Sequence, residues 1–285
     1  MSEPRRLGRA EVRRLLDEHG LVPKKALGQN FVVDPNTVER IARLAGVGPG
    51  DAVVEIGPGL GSLTLALVAT GADVTAVEID GRLAEALASV VPDSVRIVYA
   101  DALGVDWDEL LSPERSWTLV ANLPYNIATP LVVGLLERVP QIARLLVMVQ
   151  REVAERLAAS PGGKQYGAVS ARVAYFATAR LAGLVSAEVF HPRPNVESAL
   201  VEFVRREAPA VDPTLATYAE IGILLRAGFA GRRKMLRRAL TGLVDEQAFA
   251  CAGIAGTERA EELGVTTWGK LAACRRSMLS GPSPS

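Results

Sequence analysis

The segment Glu55-Ile-Gly57-Pro-Gly59-Leu-Gly61 limits the folds open to this chain more than any other feature. It follows the apolar run AVVEI (52–56) and precedes an apolar stretch of helical period that opens at Ser62. A buried strand, a glycine-rich turn and a helix in that order open an α/β unit, whose parallel strands are covered on both faces. Glycines in such a turn let the backbone approach a ligand without Cβ clashes. The alternation continues with VTAVEI (74–79), VRIVYA (95–100), WTLVAN (117–122) and RLLVMVQ (144–150) as strands, and SALVEFV (198–204) also has β character. The expected fold is therefore α/β, a Rossmann-like, mostly parallel sheet.

Ahead of the sheet, Val12, Leu15 and Leu16 give residues 9–18 an amphipathic pattern, and Asp34-Pro35 is a capped helix start. Behind it, Pro209 and Pro213 mark a boundary, beyond which only helical periodicity is found. Two domains are expected: 1–208, an N-terminal arm with the α/β domain, and 209–285, a small helical domain.

The formal net charge is zero, from 32 basic and 32 acidic residues. That sum hides two opposite regions. Residues 51–115 hold 3 basic and 12 acidic side chains, and the remainder carries the compensating excess of +9. Neutrality thus says nothing against a nucleic-acid partner. No apolar run long enough for a membrane span or a signal peptide occurs, so no membrane partner is expected. Cys251 and Cys274 make no disulfide framework, and His19 and His191 give no basis for a metal site. A monomer in a reducing cytoplasm is the expectation.

Glu78 and Asp101 end the second and third strands, at the sheet edge where open α/β folds bind ligands. An acid about 20 residues past the glycine turn suits ribose hydroxyls. A dinucleotide fingerprint spaces its glycines G-x-G-x-x-G and receives a pyrophosphate. Here the spacing is G-x-G-x-G, preceded by Glu55, inside the acidic region. S-adenosylmethionine, a sulfonium cation without phosphate, suits these surroundings better than a nicotinamide dinucleotide does.

One strand later comes Asn122-Leu-Pro124-Tyr125. The N6 of adenine is a poor nucleophile, because its lone pair is delocalised into the ring. The Asn122 side-chain carbonyl and the Pro124 main-chain carbonyl are candidate acceptors for its protons, directing the lone pair at a methyl donor by position and electrostatics. Tyr125 is a candidate to stack on an extruded base. Phe190, in the stiff segment Phe190-His-Pro-Arg-Pro194, is the candidate for the base's other face; a core aromatic in a rigid connection is the stronger reading from sequence alone.

No acid occurs between Glu220 and Asp245, where Arg226, Arg232, Arg233, Lys234, Arg237 and Arg238 lie. On a helix, Arg233/Arg237 and Lys234/Arg238 would be i,i+4 pairs opposite an apolar stripe from Met235 to Leu243. Like charges so placed oppose helix formation, and a phosphate backbone is a reason to keep them. Arg232, Arg233, Lys234 and Arg237 are the candidate RNA contacts.

These motifs, with LGQNFVVD (27–34), MVQREVAERL (148–157), FHPRPNVESALV (190–201) and AGFAGRRKMLRRAL (227–240), resemble the bacterial 16S rRNA adenine dimethyltransferases. The resemblance spans about residues 27–240. It implies S-adenosylmethionine as donor, with Asn30, Val32, Gly57, Gly59, Glu78, Asp101 and Asn122 at cofactor-contact positions. It also implies dimethylation at N6 of two adjacent adenosines in the 3′-terminal hairpin of 16S rRNA, within an assembling 30S subunit. Met235 and Arg238 depart from the family's basic segment. FHPRP is similar to the 23S rRNA methyltransferases of macrolide resistance, which share the catalytic domain. That target, and a non-catalytic ribosome-assembly factor on the same fold, are the alternatives.

Overall fold

A computed structural model describes residues 5–24, 28–124 and 127–279. In chain order the elements are α1 (Arg9–Glu18), β1 (Phe31–Val32), α2 (Pro35–Ala45), β2 (Ala52–Ile56), α3 (Ser62–Val68), β3 (Asp73–Glu78), α4 (Gly81–Ala88), β4 (Arg96–Tyr99), α5 (Trp107–Leu110), β5 (Trp117–Asn122), α6 (Ala128–Arg138) and β6 (Ile142–Gln150). They continue with α7 (Arg151–Leu157), α8 (Ala168–Phe176), β7 (Ala177–Val185), β8 (Phe190–His191), β9 (Ser198–Arg205), α9 (Tyr218–Ala230), α10 (Leu236–Ala239), α11 (Glu246–Cys251) and α12 (Val265–Leu279). No helix among the described residues is long and apolar enough to cross a membrane.

The chain divides into two compact units. The first takes the residues up to 154 and 180–204; the second takes 155–179 and 205 onward. The last crossing, at 204/205, lies four residues before the expected division at 208/209, and the excursion at 155–179 formed no part of that expectation. Its physical cause is burial: Tyr166, Ala171 and Tyr175 belong to the core of the helical unit. Pro209 and Pro213 mark a turn in the chain, whereas the core that a segment joins decides its unit.

In the first unit the sheet runs β4-β3-β2-β5-β6-β9-β7. Strands β2 to β6 are parallel neighbours, and β9 returns antiparallel to β6. All five residues of β2 are buried, as a central strand covered on both faces requires. Helix α2 begins as its sequence dictates. Asp34 accepts from the Thr37 N–H at 3.0 Å, Pro35 opens the first turn, and Gly46 ends the helix at φ 61°. The amphipathic α1 buries Val12, Leu15 and Leu16 in the same core as Phe31, Ile41 and Val53. Three strands escape the sequence patterns. β1 and β8 are two residues each, and β7 is an edge strand with both faces partly exposed.

In the second unit α9 packs on α12, with Gly228 against Trp268. A Cβ there would lie 2.5 Å from the Trp268 ring, so only glycine fits. Cys251 and Cys274 are joined by a disulfide linking α11 to α12, with Cα atoms 5.9 Å apart. The expectation that these two cysteines make no disulfide is corrected: the packing of the two helices brings them within bonding reach.

Candidate active site

The C-terminal ends of β2, β3, β4 and β5 converge on one cleft of about 890 Å³, its open mouth included. The chain leaves β2 through three glycines at positive φ, 68° at Gly57, 58° at Gly59 and 90° at Gly61. At Gly59 a Cβ would stand 2.9 Å from the Phe31 ring, so the turn closes under β1 only without a side chain. The Gly59 N–H donates to Glu78 Oε2 at 3.1 Å, and the Asp80 N–H donates to Oε1 at 3.0 Å. One carboxylate thus ties the glycine turn to the end of β3. Asp101 follows β4, and its Oδ1 accepts from the Leu103 N–H at 2.9 Å.

The structure brings Asn30, Val32, Gly57, Gly59, Glu78, Asp101, Asn122 and Pro124 together around this cleft. Among its described lining residues are three carboxylates, Glu55, Glu78 and Asp101, and no Lys, Arg or His. Burial raises the Glu78 carboxyl above its usual range, against the main-chain donors that favour its charge. Glu55 is fully buried, and desolvation together with the Glu78 charge pushes its carboxyl up to about 8. Sequence reasoning noted Glu55 but gave it no role, since its total burial is invisible in the pattern.

A second group that sequence reasoning missed is Asp80. It accepts from Lys24 Nζ at 2.7 Å and from Gln29 Nε2 at 3.3 Å, and the Lys24 ammonium holds its carboxyl below the usual range. Beside it, the Arg82 guanidinium donates to the main-chain oxygens of His19 and Gly20, at 3.1 and 2.6 Å. Two side chains just past Glu78 therefore fasten the N-terminal segment at the cleft. No short motif announces contacts that span more than 50 residues.

At the end of β5 the Asn122 Nδ2 donates to the Asn30 main-chain oxygen at 3.0 Å. A carbonyl oxygen can only accept, so the nitrogen must face Asn30 and the side-chain oxygen is turned away from it. The Pro124 carbonyl is differently placed. It already accepts from the Ile127 and Ala128 N–H groups, both at 3.2 Å, in the turn that starts α6. An amine proton of a substrate would have to share this oxygen with the turn. Tyr125 lies outside the described residues.

The profile of the ribosomal RNA adenine dimethylases matches residues 21–274. The chain belongs to that family. A relative from Thermobifida fusca named ribosomal RNA small subunit methyltransferase A is 49% identical over 96% of this chain and 98% of its own. One of the same name from Leifsonia xyli is 48% identical over 96% and 100%. Among solved structures, a dimethyladenosine transferase from Plasmodium falciparum superposes with a TM-score of 0.70 at 23% identity, covering 84% of this chain and 94% of that one. A 23S rRNA methyltransferase gives 0.67 at 24% identity, covering 86% and 99%. At these identities the two structures establish the fold that the family member adopts.

Two expectations need correction in this family member. Phe190 is 1% exposed, sits in the core with Phe31 and Leu200, and pairs through β8 with Val32. It does not line the cleft, so the core reading replaces the stacking one in this conformation. The basic segment of the helical unit is not one helix. Residues 231–234 form a turn, Met235 bridges to Arg259, and only Leu236–Ala239 is helical. Arg233 and Arg237 therefore share no helix face. Leu236 and Leu240 are fully buried while Met235 is exposed, so the apolar stripe starts one residue later than expected. Arg232 forms an ion pair with Glu261 and donates to the Lys164 main-chain oxygen at 2.6 Å. Arg233, Lys234 and Arg237 are exposed.

Proposed function

We propose that this chain transfers methyl groups from S-adenosylmethionine to N6 of two adjacent adenosines in the 3′-terminal hairpin of 16S rRNA, within an assembling 30S subunit in the cytoplasm. The observation that carries the donor is the cleft's composition: three carboxylates, no cationic side chain among the described lining, and glycine backbone at the end of β2. A pyrophosphate would find no cationic side chain among the described lining, whereas ribose hydroxyls, an adenine amine and a sulfonium are complementary to its acids. In this reading Glu78, fixed by two main-chain donors, accepts from the ribose hydroxyls and Asp101 accepts from the adenine amine. When bound, the donor supplies an electrophilic methyl group on sulfur.

The chain's own contribution is positioning. With its nitrogen committed to Asn30, the Asn122 side-chain oxygen accepts a hydrogen bond from the target N6 amine, which favours a pyramidal nitrogen with its lone pair out of conjugation; the proton stays on nitrogen until the methyl group has been transferred and is then lost to solvent. No residue needs to remove the proton before attack, since the methylated ammonium product is acidic. Arg233, Lys234 and Arg237 supply phosphate contacts in the helical unit, while Arg232 acts chiefly within it through Glu261.

The small-subunit target rests on relatives at 48–49% identity that carry that name. The test is incubation with labelled donor and unmethylated 30S or 50S subunits, followed by mapping of the modified bases. Label at two adjacent adenosines near the 3′ end of 16S rRNA is the expected result. Label in 50S alone would move the assignment to the 23S class, and donor binding without label in either would favour an assembly factor.

A further inference from the structure

Glu55 is the group that the cleft supports least. It sits one residue before the end of β2 and is 1% exposed, and its Oε2 has no hydrogen-bond partner among the described residues. The Thr64 hydroxyl of α3 lies beside it, close enough to favour the charged form, yet it too is buried without a partner among the described residues. A buried carboxylate with an unpaired oxygen is costly, and the chain has not removed the cost with a counter-charge. From β3 it faces the Glu78 carboxylate, and α3 offers only the Thr64 hydroxyl. Gln29, Asn30, Ser62, Asn122 of β5 and Asp101 beyond β4 are the other polar side chains of the described lining. Every charged group of the described lining is an acid, so a compensating cation has to arrive with the ligand.

We propose that Glu55 is the proton-linked counter-charge of this cleft: entry of a cationic ligand drives a proton from its carboxyl to solvent, which favours the sulfonium donor over the neutral thioether product. The inference rests on the S-adenosylmethionine reading and adds a discrimination step to it. In the empty cleft the carboxyl keeps its proton at neutral pH, because burial pushes it up to about 8. A ligand cation lowers the cost of ionisation, and the proton leaves as the ligand binds. After methyl transfer the sulfur is neutral and only the α-ammonium of the ligand remains cationic, so the carboxyl takes a proton back and the electrostatic hold on the ligand weakens. Product release and donor entry are thereby separated by one proton rather than by shape.

Calorimetry at about pH 7 in two buffers of different protonation enthalpy counts protons released on binding. Wild type and Glu55→Gln are each titrated with S-adenosylmethionine and with S-adenosylhomocysteine. The donor's own α-amino group titrates in the same range, at about 8, so the difference between wild type and variant is the quantity read. We expect wild type to release close to one more proton per donor than the variant, and a smaller difference for the thioether. Donor affinity of wild type should tighten with rising pH below about 8, by up to about tenfold per pH unit, relative to the variant. Equal proton counts in the two proteins, or parallel pH profiles, overturn the proposal while leaving the cofactor reading intact. Absence of donor binding to wild type at any pH overturns both.

Folding of the variant is checked by thermal melts without ligand. In wild type the unfolded carboxyl ionises near 4.5 and the folded one near 8, so stability falls as pH rises through that window. Glu55→Gln, isosteric with the protonated form, should melt cooperatively and show a smaller decline, keeping only the share that Glu78 contributes.

Discussion

The cleft at the strand ends and the basic segment of the helical unit are both concentrations of one charge, yet the fold treats them in opposite ways. In the cleft three carboxylates face one space with no cationic side chain among the described lining, and Glu78 is fixed by main-chain donors. In the basic segment one cation of the run, Arg232, is paired internally with Glu261, and the others project from a turn and a single helical turn. Short carboxylates on strand ends go where the sheet register sends them. Long arginine side chains reach partners that the local sequence does not contain. A charge run is therefore a weaker guide to function than an acid at a strand terminus.

That contrast can be broken experimentally, and the cleft should give the largest effect. Asn122→Ala should lower single-turnover methyl transfer by about 10²-fold or more, with donor affinity within a few-fold of wild type. A loss below tenfold would remove Asn122 from the chemistry. The next effect tests the Phe190 correction. Phe190→Ala should cost about 3–5 kcal/mol of stability by chemical denaturation, and Phe190→Leu much less, with transfer largely kept. An unchanged melt with collapsed transfer in Phe190→Leu would restore a stacking role.

In the basic segment, Arg233→Glu with Arg237→Glu should weaken rRNA binding and reduce the slope of log affinity against log salt by about one for each phosphate that is no longer neutralised. Arg232→Gln should instead act mainly on the melting temperature, since it breaks the pair with Glu261. Equal effects of the two changes on the salt slope would erase the distinction between paired and projecting cations. The smallest effect belongs to Asp80→Asn, which removes the charge that holds Lys24; a half-exposed lysine makes that worth less than about 1 kcal/mol. Because the Asp80 carboxyl is held below its usual range, its contribution is present above about pH 4 and is lost as pH falls through the lowered value. Wild type and variant melts should therefore converge in acid.

Much of the fold was legible because parallel strands buried on both faces are near-continuous apolar runs, as in AVVEI and WTLVAN. β7 was not, since an edge strand with partly exposed faces carries no such run. Within the candidate site, Gly57, Gly59, Glu78, Asp101 and Asn122 were legible because each stands at a strand terminus, where local pattern and global position coincide. Phe190 and Pro124 were ambiguous for the opposite reason. A ring's burial and a carbonyl's hydrogen bonds depend on neighbours that the local sequence does not name.

By itself the sequence determined the order of the central strands β2 to β6, the glycine turn and the acids beside it, since hydrophobic period and glycine spacing are local properties. Only the tertiary structure decided that 155–179 joins the helical core, that Arg232 belongs to Glu261, and that Glu55 is sealed from water next to a second carboxylate. Those outcomes depend on burial and on contacts between distant residues. The charge of a carboxyl is written in the sequence, but whether it holds its proton is set by the atoms packed around it.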